Sequence, residues 1–126
     1  MIIESVSLVA RPDNRRELEL GLSFLLGPIR VEAGCLSCNL FEDVTDLNQF
    51  RFECLWDSAD DLLRHLRSGV YRQLLILIEM SAAAPSVQFH TISVTQGLEY
   101  VEAAREQEGT GASAPRKVAR SQEILP

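Results

Sequence analysis

The sequence predicts an α+β domain: one four-stranded antiparallel sheet with its helices on one face, in the order β-α-β-β-α-β. Three observations carry this. Strand-like alternation of apolar and polar residues occurs in four separate stretches. Two longer stretches between them repeat leucines at helical spacing. The second and third strands are too close together for anything but a hairpin. That element order is the ferredoxin-like, or split βαβ, arrangement.

The elements follow in turn. IIESVSLVA is rich in β-branched residues and reads as a first strand over 2–10. Pro12-Asp13 marks a helix start, with Asp13 as the expected N-cap. Leu18, Leu22, Leu25, Leu26 and Ile29 share one helical face. Gly27-Pro28 is expected to break or kink that helix, with a further turn to Ala33 and a stop at Gly34. CLSCNLFEDV alternates as a second strand, with Leu36, Cys38 and Leu40 against Cys35, Ser37, Asn39 and Phe41. VTDLNQ reads as a loop of several residues. FRFECLW is the third strand, with Phe52, Cys54 and Trp56 on one face.

Ser58 followed by Asp61 looks like a short capping box. Leu62, Leu63, Leu66 and Val70 form the expected buried stripe of the next helix. Ser68-Gly69 ends it and caps another, which buries Leu74, Leu77 and Ile78. VQFHTISV is the last strand and GLEYVEAAR a short helix. The expected organisation is therefore a domain over 1–95, a helix over 96–105 and a flexible tail over 106–126, where the sequence turns small, polar and Gly/Pro-containing.

Composition bounds the function. The chain has 126 residues, 46% hydrophobic and 24% charged, as an ordinary globular domain does. The net charge is -6, and all of the excess falls before residue 101. An acidic domain is repelled by phosphate backbones and by anionic lipid, so neither nucleic acid nor a membrane surface is an expected partner. No apolar run approaches the ~18 residues of a membrane span, and MIIESVSLVA lacks the basic start of a secretory leader. Three cysteines make an odd number, which fits reduced thiols and a cytoplasmic location. Cys35 and Cys38 have redox-motif spacing, but strict alternation places i and i+3 on opposite faces, so they are expected neither to bridge nor to chelate.

The candidate site residues surround the third strand and the helix after it. Trp56 is either a large core residue or the wall of a pocket that stacks a flat ring. His65 is either a boundary residue or a general base near neutral pH. Tyr71 is either a pocket hydroxyl or a core ring. Phe52 shares the face of Trp56, Asn39 could bind a ligand carbonyl, and Cys54 lies two residues before the tryptophan. His90 reads as a structural residue of the last strand. Two histidines without short ligand spacing give no metal site.

The ordered set Glu32, Gly34, Cys35, an acidic hairpin, Phe50, Trp56, Ser58, His65, Ser68 and Tyr71 resembles the antibiotic biosynthesis monooxygenase (ABM) domain family. The resemblance implies a dimeric α/β barrel in which two sheets face each other. The uncovered second face of the sheet points to the same homodimer. Characterised relatives include cofactor-independent oxygenases of phenols and quinols; others degrade haem or isomerise small metabolites. Two positions depart from the family pattern: Cys54 where many relatives carry Glu, and Ala33 where many carry Pro. Haem degradation is not expected, because the first strand offers Ser5 and Ser7 but no Asn for an Asn-Trp-His constellation.

The resemblance implies a monooxygenase acting on a small hydroquinone or phenol with dioxygen and no cofactor. His65 would be the catalytic base; Trp56, Tyr71, Phe52, Asn39 and Cys54 would contact a small aromatic molecule. The alternatives are a non-catalytic small-molecule-binding or association domain of the same fold, or an isomerase acting on a small carbonyl metabolite.

Overall fold

A computed structural model of the chain describes residues 1–109. Its strands are β1 (Ile2–Val9), β2 (Cys35–Asp43), β3 (Asp46–Trp56) and β4 (Ser86–Thr91). Its helices are α1 (Arg15–Arg30), α2 (Ala59–Leu66), α3 (Gly69–Ile78) and α4 (Leu98–Gly109). The strands form one antiparallel sheet in the order β2-β3-β1-β4, which is the expected ferredoxin-like arrangement. Residues Met1–Ser93 make one compact unit; a second begins at Val94 and contains α4. Helix α4 runs four residues beyond its expected end, and positions 110–126 of the expected tail lie outside the described residues.

One face of the sheet is packed under helices. Val6, Leu8, Phe50, Phe52, Cys54 and Trp56 point there and are buried with Leu18, Leu22, Leu25 and Ile29 of α1 and Leu74 and Ile78 of α3. The other face mixes apolar Ile3, Leu55 and Phe41 with Ser5, Ser7, Asn39, Arg51 and Glu53. There the Arg51 guanidinium lies 5.0 Å over the Phe41 ring.

Several expectations are corrected by local chemistry. The N-cap of α1 is Asn14, not Asp13. Asn14 is buried and tied on two sides: Oδ1 accepts from Arg11 N at 2.8 Å and Nδ2 donates to Met80 O at 3.2 Å. Asp13 stays outside, paired with Arg11. Pro28 does not break α1, which is continuous to Arg30. Phe24, Gly27 and Pro28 are all exposed, so the hydrogen bond that proline lacks falls on the solvent side of the helix. The further turn to Ala33 takes the form of non-helical turns, closed by Glu32 N donating to Ile29 O at 3.0 Å and Cys35 N donating to Glu32 O at 3.1 Å.

The hairpin is tighter than expected. Asp43 Oδ1 accepts from both Thr45 N at 2.8 Å and Thr45 Oγ1 at 2.6 Å, which closes a short turn at Val44-Thr45. The stretch read as loop from Asp46 to Gln49 is therefore strand. Strict alternation also fails in β2. Cys35 pairs with Trp56, Ser37 with Leu55 and Cys38 with Cys54, leaving Leu36 as the extra residue of a β-bulge. Trp56 and Cys54 share a face, so Cys35 and Cys38 share it too, contrary to expectation.

Ser58 caps α2 as expected: its Oγ accepts from Asp61 N at 3.2 Å and donates to Asp61 Oδ2 at 2.8 Å. Ser68 caps α3 by accepting from Tyr71 N at 3.1 Å. The buried face of α2, however, is Leu62 and His65, while Leu63 is exposed. A histidine takes the place that periodicity gave to a leucine.

Candidate functional site

The site begins with a charge in the wrong place. Glu4 alternates with Val6 and Leu8 on β1, so its side chain must point into the core; it is 0% exposed. Burying a lone carboxylate costs several kcal/mol, on the order of the whole stability of a small domain. It is tolerated because donors meet it. Trp56 Nε1 donates to Glu4 Oε1 at 2.9 Å. His65 Nε2 lies 3.2 Å from the same oxygen, an ion-pair distance with poor hydrogen-bond alignment.

The second carboxylate comes from the connection between α1 and β2. Glu32 Oε1 lies 3.0 Å from His65 Nδ1, and its side chain is 22% exposed. This connection is held in place by Gly34, whose φ of 82° suits glycine alone. A Cβ there would fall 2.1 Å from the Asp61 carboxyl carbon, so the glycine also lets the chain close against α2. Asp57 N donates to Gly34 O at 2.9 Å, completing the link. Glu32 is thereby fixed beside a histidine 33 residues away.

His65 is consequently clasped on both nitrogens. Its ring stacks on Trp56 at 4.5 Å between centroids, 29° from parallel, and meets Tyr71 edge-on at 5.3 Å. Burial alone would push its pKa down, but the contacts and charges of Glu4 and then Glu32 outweigh that, and the net shift is upward. The imidazolium form presents an N–H to each carboxylate, within hydrogen-bond geometry at Glu32 and poorly aligned at Glu4. Two carboxylates thus face one imidazole, and among the described residues no Lys or Arg joins the cluster. Glu4 Oε2 and Glu32 Oε2 are buried without a hydrogen-bond partner. The Tyr71 hydroxyl is held in its protonated form, by burial first and then by the Glu4 charge.

Of the residues singled out from sequence, the structure brings together Trp56, His65 and Tyr71 in direct ring contact. Phe52 and Cys54 are fully buried on the same sheet face. Asn39 pairs with Glu53 on the opposite face, is exposed, and accepts from Arg30 Nη2. His90 is exposed on β4. Cys54 faces Cys38 across the hairpin, and its thiol is pushed up by that partner first and by burial second. Cys35 is pushed up to about 11, by burial first and then by Cys38 and Glu32. All three are free thiols.

Glu4 was legible only as an interruption of an apolar strand. The missed signal was its parity: a charge that alternates with Val6 and Leu8 has to be buried, and so has to have a partner.

The family model for antibiotic biosynthesis monooxygenase domains matches residues 1–75. The chain belongs to this family. The matched span contains every member of the cluster, from Glu4 to Tyr71. An uncharacterised protein of the cyanobacterium Synechocystis is 26% identical over 98 residues, 77% of this chain and 67% of that one. A Deinococcus radiodurans protein named for the same family superposes with a TM-score of 0.70 at 21% identity, covering 77% of this chain and 97% of that one. A Mycobacterium tuberculosis protein, Rv0793, gives 0.68 at 22% identity, over 76% and 98%. At such identities the two superpositions establish the ABM fold. Among the described residues no helix is long and apolar enough to cross a membrane.

Proposed function

We propose that this ABM-family chain is a cofactor-independent monooxygenase that oxidises a small hydroquinone or phenol with dioxygen. The observation that carries the reading is the buried Glu4–His65–Glu32 cluster stacked against Trp56. A costly charge cluster beside the single tryptophan is a place where function, rather than packing, explains the residues. Two unpartnered carboxylate oxygens call for donors, and a phenolic hydroxyl is one.

The chemistry follows from charge. A neutral hydroquinone gives its proton to the cluster, so one negative charge moves from protein to substrate without new charge being buried. His65 spans the two carboxylates and relays the proton toward Glu32, the partly exposed end. The electron-rich phenolate then passes one electron to dioxygen, and the radical pair combines. One oxygen atom enters the ring and the other leaves as water, with the ring oxidised to a hydroxyquinone. Trp56 and Tyr71 would hold the ring, with Phe52 and Cys54 behind them. Because Glu4, Trp56 and His65 are all buried, entry of the ring requires the surrounding side chains to move aside. The working unit in this reading is a cytoplasmic homodimer that pairs the open sheet faces through Ile3, Leu55 and Phe41.

The test is oxygen uptake with a panel of hydroquinones, with product mass measured beside His65→Gln and Trp56→Phe. Uptake above autoxidation, a product with one added oxygen atom, and a loss of about 10²-fold or more in His65→Gln are expected. Folded protein that adds nothing to autoxidation across the panel would sink the reading. The complete burial of Trp56 and His65 favours a second reading, a non-catalytic binding or association domain. That reading gives saturable binding without turnover.

A further inference from the structure

The cluster has an excess of acceptors. Trp56 Nε1 and both nitrogens of His65 are directed at Glu4 and Glu32. What is left over is one oxygen on each carboxylate, both buried and both without a partner, against a single unmet donor, His65 Nε2, which faces Glu4 Oε1 at 3.2 Å without hydrogen-bond alignment. No guanidinium or ammonium group reaches either among the described residues; the nearest arginine of α2, Arg64, is engaged by Asp61 at 2.9 Å on the exposed side of the helix. The Tyr71 ring packs edge-on against His65 and adds no charge. Two carboxylates thus face one imidazole, and of the three only Glu32 reaches solvent, with 22% of its side chain exposed.

We propose that Glu4 and Glu32 select the ligand of this site by charge. The site takes a neutral or cationic ring that brings hydroxyl or amino donors, and it turns away the same ring bearing a carboxylate. This rests on the oxygenase reading for the place of the ring, and it narrows the substrate class within that reading. The physical basis is simple. A donor on the ligand satisfies a stranded oxygen and recovers the cost of its burial. A ligand carboxylate meets like charges beside the fully buried Glu4, where solvent screens little. Anionic aromatics such as dihydroxybenzoates are then poor ligands although they carry the same hydroxyl groups. Aminophenols, whose amine adds a donor, are good ones.

Calorimetric titration under argon separates binding from turnover, and the emission of Trp56, the only tryptophan, reports whether the ligand reaches the cluster. The probes are hydroquinone, 4-aminophenol and 2,5-dihydroxybenzoate, titrated into the wild-type chain, Glu32→Gln and Glu4→Gln. Circular dichroism verifies that each variant is folded. In the wild type the dihydroxybenzoate should bind at least roughly tenfold more weakly than the two uncharged rings. That gap should close to within about threefold in at least one glutamine variant, since glutamine keeps the shape and removes the charge. Equal or tighter binding of the dihydroxybenzoate to the wild type would overturn the proposal. So would a gap that persists undiminished in both folded variants. Selective binding without oxygen uptake would leave charge selection standing and remove only the oxygenase. Failure of all three rings to bind would remove both.

Discussion

Replacing Glu4 with leucine tests whether the cluster is held together by charge or merely surrounds it. Glu4 accepts from Trp56 Nε1 at 2.9 Å and pairs with His65 Nε2 at 3.2 Å. Leucine strands both donors in the core, at about 1–3 kcal/mol each. Against this, the desolvation of a fully buried carboxylate is relieved and an apolar side chain is gained. The balance is a loss of about 3 kcal/mol, which for a domain of this size lowers Tm by roughly 10–20 °C. His65→Leu alone should cost about the same, because it leaves Glu4 facing the core with only the indole N–H. The double variant Glu4→Leu/His65→Leu removes the charge and its partner together. It should cost no more than either single change, giving a coupling of at least about 2 kcal/mol. Urea unfolding followed by far-ultraviolet circular dichroism measures all three without depending on the tryptophan environment. Single costs that add within about 0.5 kcal/mol would show that Glu4 and His65 do not stabilise each other and that charge does not hold the cluster together.

Three further predictions concern the frame around the cluster. Folded His65 holds its proton more tightly than an unfolded histidine does, whose ordinary value is 6.5. Its contribution is therefore complete below that value and is lost as pH rises through the higher folded value; thermal melts across this range should show stability falling, and His65→Gln should flatten that fall. Gly34→Ala should cost about 1–3 kcal/mol, through a positive φ and the Asp61 side chain, and adding Asp61→Ala should recover only a fraction of it, because the Asp61 Cβ that alanine keeps lies 2.4 Å from the new methyl, as read by chemical denaturation. Cys35, pushed up to about 11, should react with a disulfide reagent at pH 8 on the order of a hundredfold more slowly than an exposed thiol, while Cys38 and Cys54 should react only after unfolding; stopped-flow labelling with mass detection checks both.

Element order and sheet topology were legible because each rests on a period that is local in sequence. The helix face of α1, the capping by Ser58 and Ser68, and the strand face of Phe52, Cys54 and Trp56 came directly from spacing. Periodicity fails where one side chain changes the local rule. Asp43 closes a turn that composition alone spreads over six residues. Leu36 bulges out and brings Cys35 and Cys38 onto one face. At the site, Trp56, His65 and Tyr71 were recognisable as types, but their mutual stacking depends on the angle at which α2 leaves the sheet, which no period encodes. The carboxylates were harder still. Glu32 stood out only through its place in the family motif, and Glu4 only through its parity on β1. The pairing of both with one imidazole joins residues 4, 32 and 65, a relation that exists only after the sheet has formed.

The first strand is apolar at both parities: Ile2, Val6 and Leu8 lie on one face and Ile3 and Val9 on the other. Hydrophobicity alone therefore discriminates poorly between its native alignment with β3 and one slipped by a single residue. The buried carboxylate does discriminate. In the native alignment Glu4 sits opposite Cys54, on the inner face with Trp56 and His65. A one-residue slip turns Glu4 outward and presents Ile3 or Ser5 to the indole and imidazole N–H groups. Every such misalignment strands buried donors, so the same three residues that make the candidate site also key the strand into its register.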